Sequence, residues 1–527
     1  MRVSERRGGH VVEAQGRSAG RRPVDLRALA ALVVVVLTAV GVAIRVSVAG
    51  EPIFGDELST YWIISTNGLG GVVSTVHTDA EITPPLFFVA AWLATRIELT
   101  PELARAPSLV AGAASVPVVY LLGLRTVGRP TALVAAALTA LSPFLIYYSA
   151  EARGYALMVL MVALSTLAML LAADTRRARW WVLYAACSCA AVYTHYTSVF
   201  PLAAQFLWLL WAHPQARKPA LLSNVGAALG FLPWLSGVRA DFGSPTTEIL
   251  SDLNPLSWEY VRDSLSHAAV GYPYRHTGLD ELPGTPALVL FALALILAVA
   301  GVAVRAVRAG PRAWPSARDQ RLVLVVVIAL SVPVGELIVS AVGTNLFGGR
   351  NLIAGLPAFA LCLAALLMAA GPRLRFVTVA LALACFAIGA AKMLDERHGR
   401  PDFRAAANFI DRRALPGDVV IDAAVISPGP YSSLDLSLRR KHLVIRAGVP
   451  EQRDRPFGLF DQPVSRARAA ETAVAAADGG RIFVVSGRTA LRSRLFRPRY
   501  RLVETRTYPG TADLKLQVWA DRRSPRR

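Results

Sequence analysis

Long apolar runs separated by short polar stretches organise this chain. The first run extends from Leu26 to Ala49. Others follow at 105–124, 131–149, 155–173, 180–196, 198–212, 219–238, 285–304, 321–341, 351–370 and 374–391. A helix needs about 20 apolar residues to cross a bilayer, so the pattern predicts eleven crossings. The two runs within 180–212 are short and meet at "THYTS". A further stretch, "PPLFFVAAWLATRI" (84–97), is too short for a full crossing and suits an interfacial or re-entrant helix. After Ala391 the period changes. "DFRAAANFIDRRA" (402–414) has helical spacing, whereas "GDVVIDAAV", "HLVIRAG", "RIFVVSG" and "YRLVETRTY" read as strands, the last turning into "LKLQVWA". The expectation is a polytopic α-helical membrane protein with a small C-terminal α/β domain.

The polar stretches carry topology. Arginine clusters at 21–27, 125–129, 176–179, 217–218, 305–312 and 373–375 alternate with loops richer in acidic residues. Basic clusters beside spans mark cytoplasmic loops. This places residues 1–25 inside as a basic segment, 26–391 in the membrane and 392–527 outside. Outer loops then fall at 50–104 and 239–284, with turns at 150–154 and 342–350. Counting 84–97 as a crossing would move the Arg125/Arg129 loop and every later basic loop outside. The first apolar run is also longer than a signal-peptide core of roughly 7–15 residues, so it reads as a retained span.

Composition agrees. The chain is 54% hydrophobic and 17% charged, against about 25% charged in ordinary soluble domains. Its net charge of +20 includes the Arg clusters that punctuate the apolar runs as a topology signal, so no nucleic-acid partner is expected. The Arg-rich C-terminal domain can rest on anionic headgroups or stand as a solvated surface. The four cysteines, Cys187, Cys189, Cys362 and Cys385, all lie in apolar runs and read as small core residues rather than disulfides or metal ligands. There is no transporter-type internal repeat, P-loop, Cys/His metal spacing or Gly-x-Ser-x-Gly elbow.

Five polar points gather on the outer rim of this topology. They are Asp56-Glu57 just past the first span; His77, Asp79 and Glu81 before the interfacial helix; Glu151, Arg153 and Tyr155 in "YYSAEARGYAL"; His195 and Tyr196 in "THYTS"; and Arg350-Asn351 in "NLFGGRN". Carboxylates can act as a general base or ligate a hard cation, and arginines grip phosphate through charge-assisted hydrogen bonds. The residues alone therefore point to an enzyme at the outer face using a lipid-phosphate donor. Each point also has a structural reading: a solvated loop for Asp56-Glu57, snorkelling for Arg153, helix packing for His195. Glu336, deep in an apolar run, is a candidate because membrane acids are costly, although Pro333 nearby can accompany a kinked, wet spot.

The ordered motifs resemble a family. "FGDELSTYWI", "HTDAEITPPLFF", "ARAPSLVAGAASVPVVYLLG", "SPFLIYYSAEARGYAL" and "GGRNLIAGLPAFAL" resemble, in order and spacing over about 1–400, the GT-C glycosyltransferases. More narrowly they resemble the protein O-mannosyltransferase and lipid A aminoarabinose transferase group. The resemblance implies an inverting transferase of the cytoplasmic membrane, using a polyprenyl-phosphate sugar donor and an extracytoplasmic acceptor. It implies Asp56 as catalytic base or acceptor-orienting carboxylate, Glu57 as its partner, and Arg153 or Arg350 facing the donor phosphate. Glu151, Tyr155 and His195 join the substrate-binding set by position. The His or Lys usual before the Pro-Pro pair is Thr83 here, leaving His77 or Asp79 as substitutes, and the residue after the late arginine is Asn351 instead of tyrosine. Relatives differ in using a divalent cation, so Mg or Mn at Asp56 and Glu57 is an open expectation. Two rivals are a transporter or flippase of a lipid-linked glycan, which predicts essential polar residues at mid-membrane, and a non-catalytic scaffold acting through 392–527.

Overall fold

The computed structural model describes residues 26–78, 81–244, 246, 255–274, 277–309, 320–343, 345–424, 431–448, 464–487 and 496–523. The expected segment 1–25 and Asp79 lie outside these. Among the described residues, eight helices are long and apolar enough to cross a membrane. They are Leu26–Ala49, Pro101–Thr126, Tyr155–Thr175, Pro214–Phe242, Asp280–Arg308, Gln320–Val342, Gly349–Met368 and Leu374–Lys392. The predicted straight span at 131–149 is instead two helices, Arg129–Leu141 and Pro143–Ser149, bent by 58°. Pro143 has no N–H to continue the ladder, and Ser142 is extended, its hydroxyl capping the next helix at Leu145 N. Counting the bent pair gives nine spans against the eleven expected. The remaining two, Ala178–Thr194 and Tyr196–Ala212, are short apolar elements. At ~1.5 Å per residue they reach about 25 Å, less than the ~30 Å hydrocarbon core.

The helix at 84–97 is Leu86–Ala94, nine residues, far below a crossing. It packs on Pro101–Thr126. Burial sorts the spans by position. The windows of Tyr155–Thr175 and Gly349–Met368 are 72% and 67% buried, whereas that of Leu26–Ala49 is 22% buried. On the outer helices large apolar side chains such as Leu26, Val35, Leu222, Ile296 and Ile338 stand exposed. Such an apolar exterior is a lipid-facing surface. Small residues let the inner helices approach. A Cβ on Gly123 would sit 2.6 Å from the Ala132 Cβ, so only glycine admits the neighbouring helix there.

Residues 403–523 build a six-stranded sheet. Its strands are β1 Val419–Ala423, β2 Leu443–Gly448, β3 Val464–Ser465, β4 Arg481–Ser486, β5 Tyr500–Tyr508 and β6 Leu514–Asp521. Their order is β3-β2-β1-β4-β6-β5, with β3, β2, β1 and β4 parallel and the β6–β5 hairpin antiparallel. Every residue of β1 is buried, as expected of a parallel strand covered on both faces. Phe403–Arg413 packs one face and Arg466–Ala477 the other. The β5 edge is largely exposed.

This sheet unit is docked on the end of the membrane helices where the polar points collect. Phe54 stacks on Phe403 and Tyr61 meets Tyr431 edge-on, each at 6.2 Å between centroids. The Arg400 N–H donates to Glu51 (3.0 Å), its guanidinium to the Ala150 carbonyl (3.3 Å), and Arg404 to the Gly50 carbonyl (3.1 Å).

Candidate active site

The site is built from the exit of the first span. Gly55 adopts a positive φ of 62°, which glycine tolerates, and starts the helix Asp56–Thr66 with two carboxylates in its first turn. Neighbouring helix positions are rotated by about 100°, so the pair diverges. Glu57 turns inward and is fully buried. Its carboxylate accepts two 2.7 Å bonds from Arg105 and one of 2.8 Å from the Ala152 N–H, and Arg400 lies 3.5 Å away. Arg105 also donates to the Ala49, Glu51 and Pro52 carbonyls. Burial alone would raise the Glu57 pKa, but Arg105 and Arg400 outweigh it and hold it below the ordinary value. The first span, the helix Pro101–Thr126, the 150–154 turn and the C-terminal segment thus meet on one carboxylate.

Asp56 points the other way, into a cavity of about 1020 Å³. Its side chain is 51% exposed there and accepts a 2.7 Å bond from Arg350 Nη1. Desolvation acts to raise its pKa, yet the charges of Arg350 and then Arg153 prevail and lower it. Asp56 therefore stays ionised as a potential base.

Arg153, Glu151, Tyr155 and His195 line the same cavity. Arg153 is held by Glu81 through bonds of 2.6 and 2.9 Å, and Ser59 donates to Glu81 as well. Glu81 thus sits behind Arg153, two residues before Thr83. Glu151 is 7% exposed, and its Oε2 has no hydrogen-bond partner. Burial and then the negative charge of Glu57 push its pKa up to about 8, so it is protonated at neutral pH. Tyr155 packs between Tyr148 (4.7 Å) and His195 (5.3 Å), and His195 Nδ1 meets the Thr197 hydroxyl at 2.9 Å. Glu336 also reaches the cavity wall, where it accepts from the Gly348 N–H at 3.2 Å. Phe200, Phe231, Val238, Phe242 and Val339 give the cavity an apolar side.

Two sequence expectations change here. Glu57 does not face the cavity beside Asp56; it is the buried anchor of Arg105. His77 does not line the cavity either. It bonds Ser236 at 3.1 Å and packs against Trp234 at 5.5 Å, because the helix Leu69–Val76 turns that end toward Leu235–Phe242. The residues that motif reading missed are Arg105 and Arg400, together with the pairing of Glu81 to Arg153. Arg105 and the fully buried Arg45, which donates to Gly41, Thr139 and Ala140 carbonyls, carried a signal: an arginine within a run of membrane helix needs a partner.

The divalent-cation expectation meets an unsuitable donor set. Asp56 is neutralised by Arg350, Glu57 by Arg105 and Arg400, and the two diverge. Among the described residues no group of three or more His, Cys, Asp or Glu side chains is arranged to hold a metal ion. The described residues do not fit the ion.

The described residues thus form a polytopic helical bundle with a carboxylate–arginine cavity at one end, capped by a small sheet unit. The structure of ArnT from Cupriavidus metallidurans bound to undecaprenyl phosphate shares this fold, with a TM-score of 0.52 at 13% identity, over 93% of this chain and 98% of that one. Archaeal oligosaccharyltransferase AglB from Archaeoglobus fulgidus, in complex with an inhibitory peptide and a dolichol-phosphate, aligns at 14% identity over 88% of this chain and 69% of its own, with a TM-score of 0.48. Residues 83–236 match the model of the dolichyl-phosphate-mannose-protein mannosyltransferase family. No curated protein matches the chain by sequence. The chain thus shares the fold of the ArnT structure, and less than a third of its length resembles the mannosyltransferase family model.

Proposed function

We propose that the protein is a membrane glycosyltransferase that moves a sugar from a polyprenyl-phosphate donor to an extracytoplasmic acceptor, with inversion at the anomeric carbon. The carrying observation is the Asp56–Arg350 pair, 2.7 Å apart on the wall of the cavity. It couples a carboxylate held in its ionised form to a cation able to take a phosphate. The neighbouring Arg153 and the apolar side of the cavity support a donor with an anionic head and an isoprenoid tail. The family match and the undecaprenyl phosphate bound to ArnT support the same donor class.

In this reading the donor phosphate draws Arg350 from Asp56. The freed carboxylate orients an acceptor hydroxyl or amine and accepts its proton. The acceptor atom bonds to the anomeric carbon from the face opposite the phosphate, and the bond from that carbon to the phosphate oxygen breaks with its electron pair. Arg350 and Arg153 stabilise the charge that collects on the departing phosphate. Glu151, protonated at neutral pH, donates a hydrogen bond to the same group. The site lies on the outer face of the cytoplasmic membrane, and the segment 239–284 selects the acceptor.

The test incubates purified protein with radiolabelled polyprenyl-phosphate mannose or arabinose and compares wild type with Asp56→Asn. Wild type should consume the donor and the variant should not. If wild type binds the lipid yet neither transfers nor hydrolyses its sugar, the glycosyltransferase reading falls.

A further inference from the structure

Phosphate chemistry leaves part of the cavity unexplained. Glu336, on Gln320–Val342, is 1% exposed; one of its oxygens accepts from Gly348, and the other, Oε1, has no hydrogen-bond partner. Ser264, on Trp258–Val270, is 2% exposed, and its hydroxyl also lacks a partner. Both line the cavity. Native proteins rarely leave buried polar atoms unsatisfied, and acids within membrane helices are rarer still without a function.

The two orphans flank one turn. Glu336 is bonded to Gly348, and a Cβ on Gly349 would stand 3.2 Å from Ser264 Oγ. A Cβ on Gly348 would come 2.8 Å from the Asn351 amide nitrogen. The two glycines keep this part of the wall free of side chains, and the next residue is Arg350. A sugar joined to a phosphate held by Arg350 has to lie within a few ångströms of the turn. A carboxyl group offers two oxygens to hydrogen bonds, and a serine hydroxyl both donates and accepts. The complement of this pair is a neutral group rich in O–H donors, and an isoprenoid chain or a second phosphate does not supply one.

We propose that Glu336 and Ser264, on either side of the Gly348–Gly349 turn, form the subsite that reads the ring hydroxyls of the transferred sugar. This rests on the glycosyltransferase reading, and it makes Glu336 a specificity residue of that reaction. It also gives the acid within this span a role other than ion-coupled transport.

The experiment measures binding of two lipids to the full chain in nanodiscs: polyprenyl phosphate and the same lipid carrying a hexose. Wild type should bind the sugar-bearing lipid more tightly. Glu336→Gln should lose up to about tenfold of that advantage, as for one lost hydrogen bond, while its affinity for the sugarless lipid stays the same. Ser264→Ala, a milder change, should lose part of the advantage in the same selective way. With donors lacking one ring hydroxyl each, wild type should discriminate against at least one member that Glu336→Gln treats as it treats the parent sugar. The proposal is overturned if wild type gains nothing from the sugar, if the variants weaken both lipids equally, or if Glu336 instead makes lipid binding depend on sodium or proton concentration. A sugar-dependent advantage in a protein that never transfers sugar supports the subsite and sinks the glycosyltransferase reading, so the two failures are distinct.

Discussion

Replacing Glu57 with glutamine and Asp56 with asparagine separates two adjacent carboxylates by what each supports. Glu57 is fully buried, takes both 2.7 Å bonds from Arg105, and faces Arg400 at 3.5 Å. Glutamine keeps the shape but presents an NH₂ to one of those donors and leaves the buried Arg105 charge uncompensated. Breaking a buried pair this way costs about 3–5 kcal/mol. Carbonyl oxygens of Ala49, Glu51 and Pro52 still accept from Arg105, so the lower end, about 3 kcal/mol, is expected. That is a large share of a typical stability of about 5–15 kcal/mol. Asp56 is half exposed to the cavity, where an ion pair adds little stability, but its loss removes the proposed base. Unfolding can be followed in detergent with a thiol-reactive dye, because Cys187 and Cys385 are free and buried. Glu57→Gln should lower the midpoint by several degrees, while Asp56→Asn should melt near wild type and lose about 10²–10⁴ in transfer rate. If Glu57→Gln melts like wild type yet is as inactive as Asp56→Asn, Glu57 acts on the substrate and the anchoring role assigned to it is wrong.

Three further outcomes follow from the site. With a pKa of about 8, Glu151 is neutral below that pH and an anion above it. The donor KM should therefore rise as pH passes about 8, and Glu151→Gln should flatten that rise in a steady-state profile. Glu81→Ala leaves the buried Arg153 without its carboxylate. It should weaken donor binding and lower the unfolding midpoint together, and Glu81→Asp should recover part of both. Because Asp56, Glu57 and Glu81 are each paired with an arginine, transfer should keep its rate after exhaustive chelation, measured against a manganese-supplemented control.

The elements legible in the chain were those whose signal is local. Apolar runs mark the spans, and five of the six strands coincide with a stretch of alternating or β-branched residues such as Val419–Ala423 and Arg481–Ser486, whereas the two-residue β3, Val464–Ser465, is too short to leave such a pattern. The bend at Ser142–Pro143 was visible as a proline within a run, but hydropathy averages over it. Lengths blurred too: the runs at 180–196 and 198–212 read as crossings, but Ala178–Thr194 and Tyr196–Ala212 fall short of the ~20 residues a crossing needs. His77 resembled a site residue by its place before the Pro-Pro pair. The packing of its helix end against Ser236 and Trp234 took it away from the cavity.

By itself, the sequence determined that this chain spans a membrane many times, that a mixed α/β unit follows, and that its polar residues cluster near span ends. Hydrophobic burial and strand alternation depend on neighbours a few positions away, so they can be read from the chain directly. Tertiary structure decided which charges meet. Asp56 pairs with Arg350 across 294 positions and Arg153 with Glu81 across 72, while Asp56 and its neighbour Glu57 face opposite ways. Ion pairing depends on where helices pack, and one step along a helix, a rotation of about 100°, separates a carboxylate in the cavity from one locked in the core.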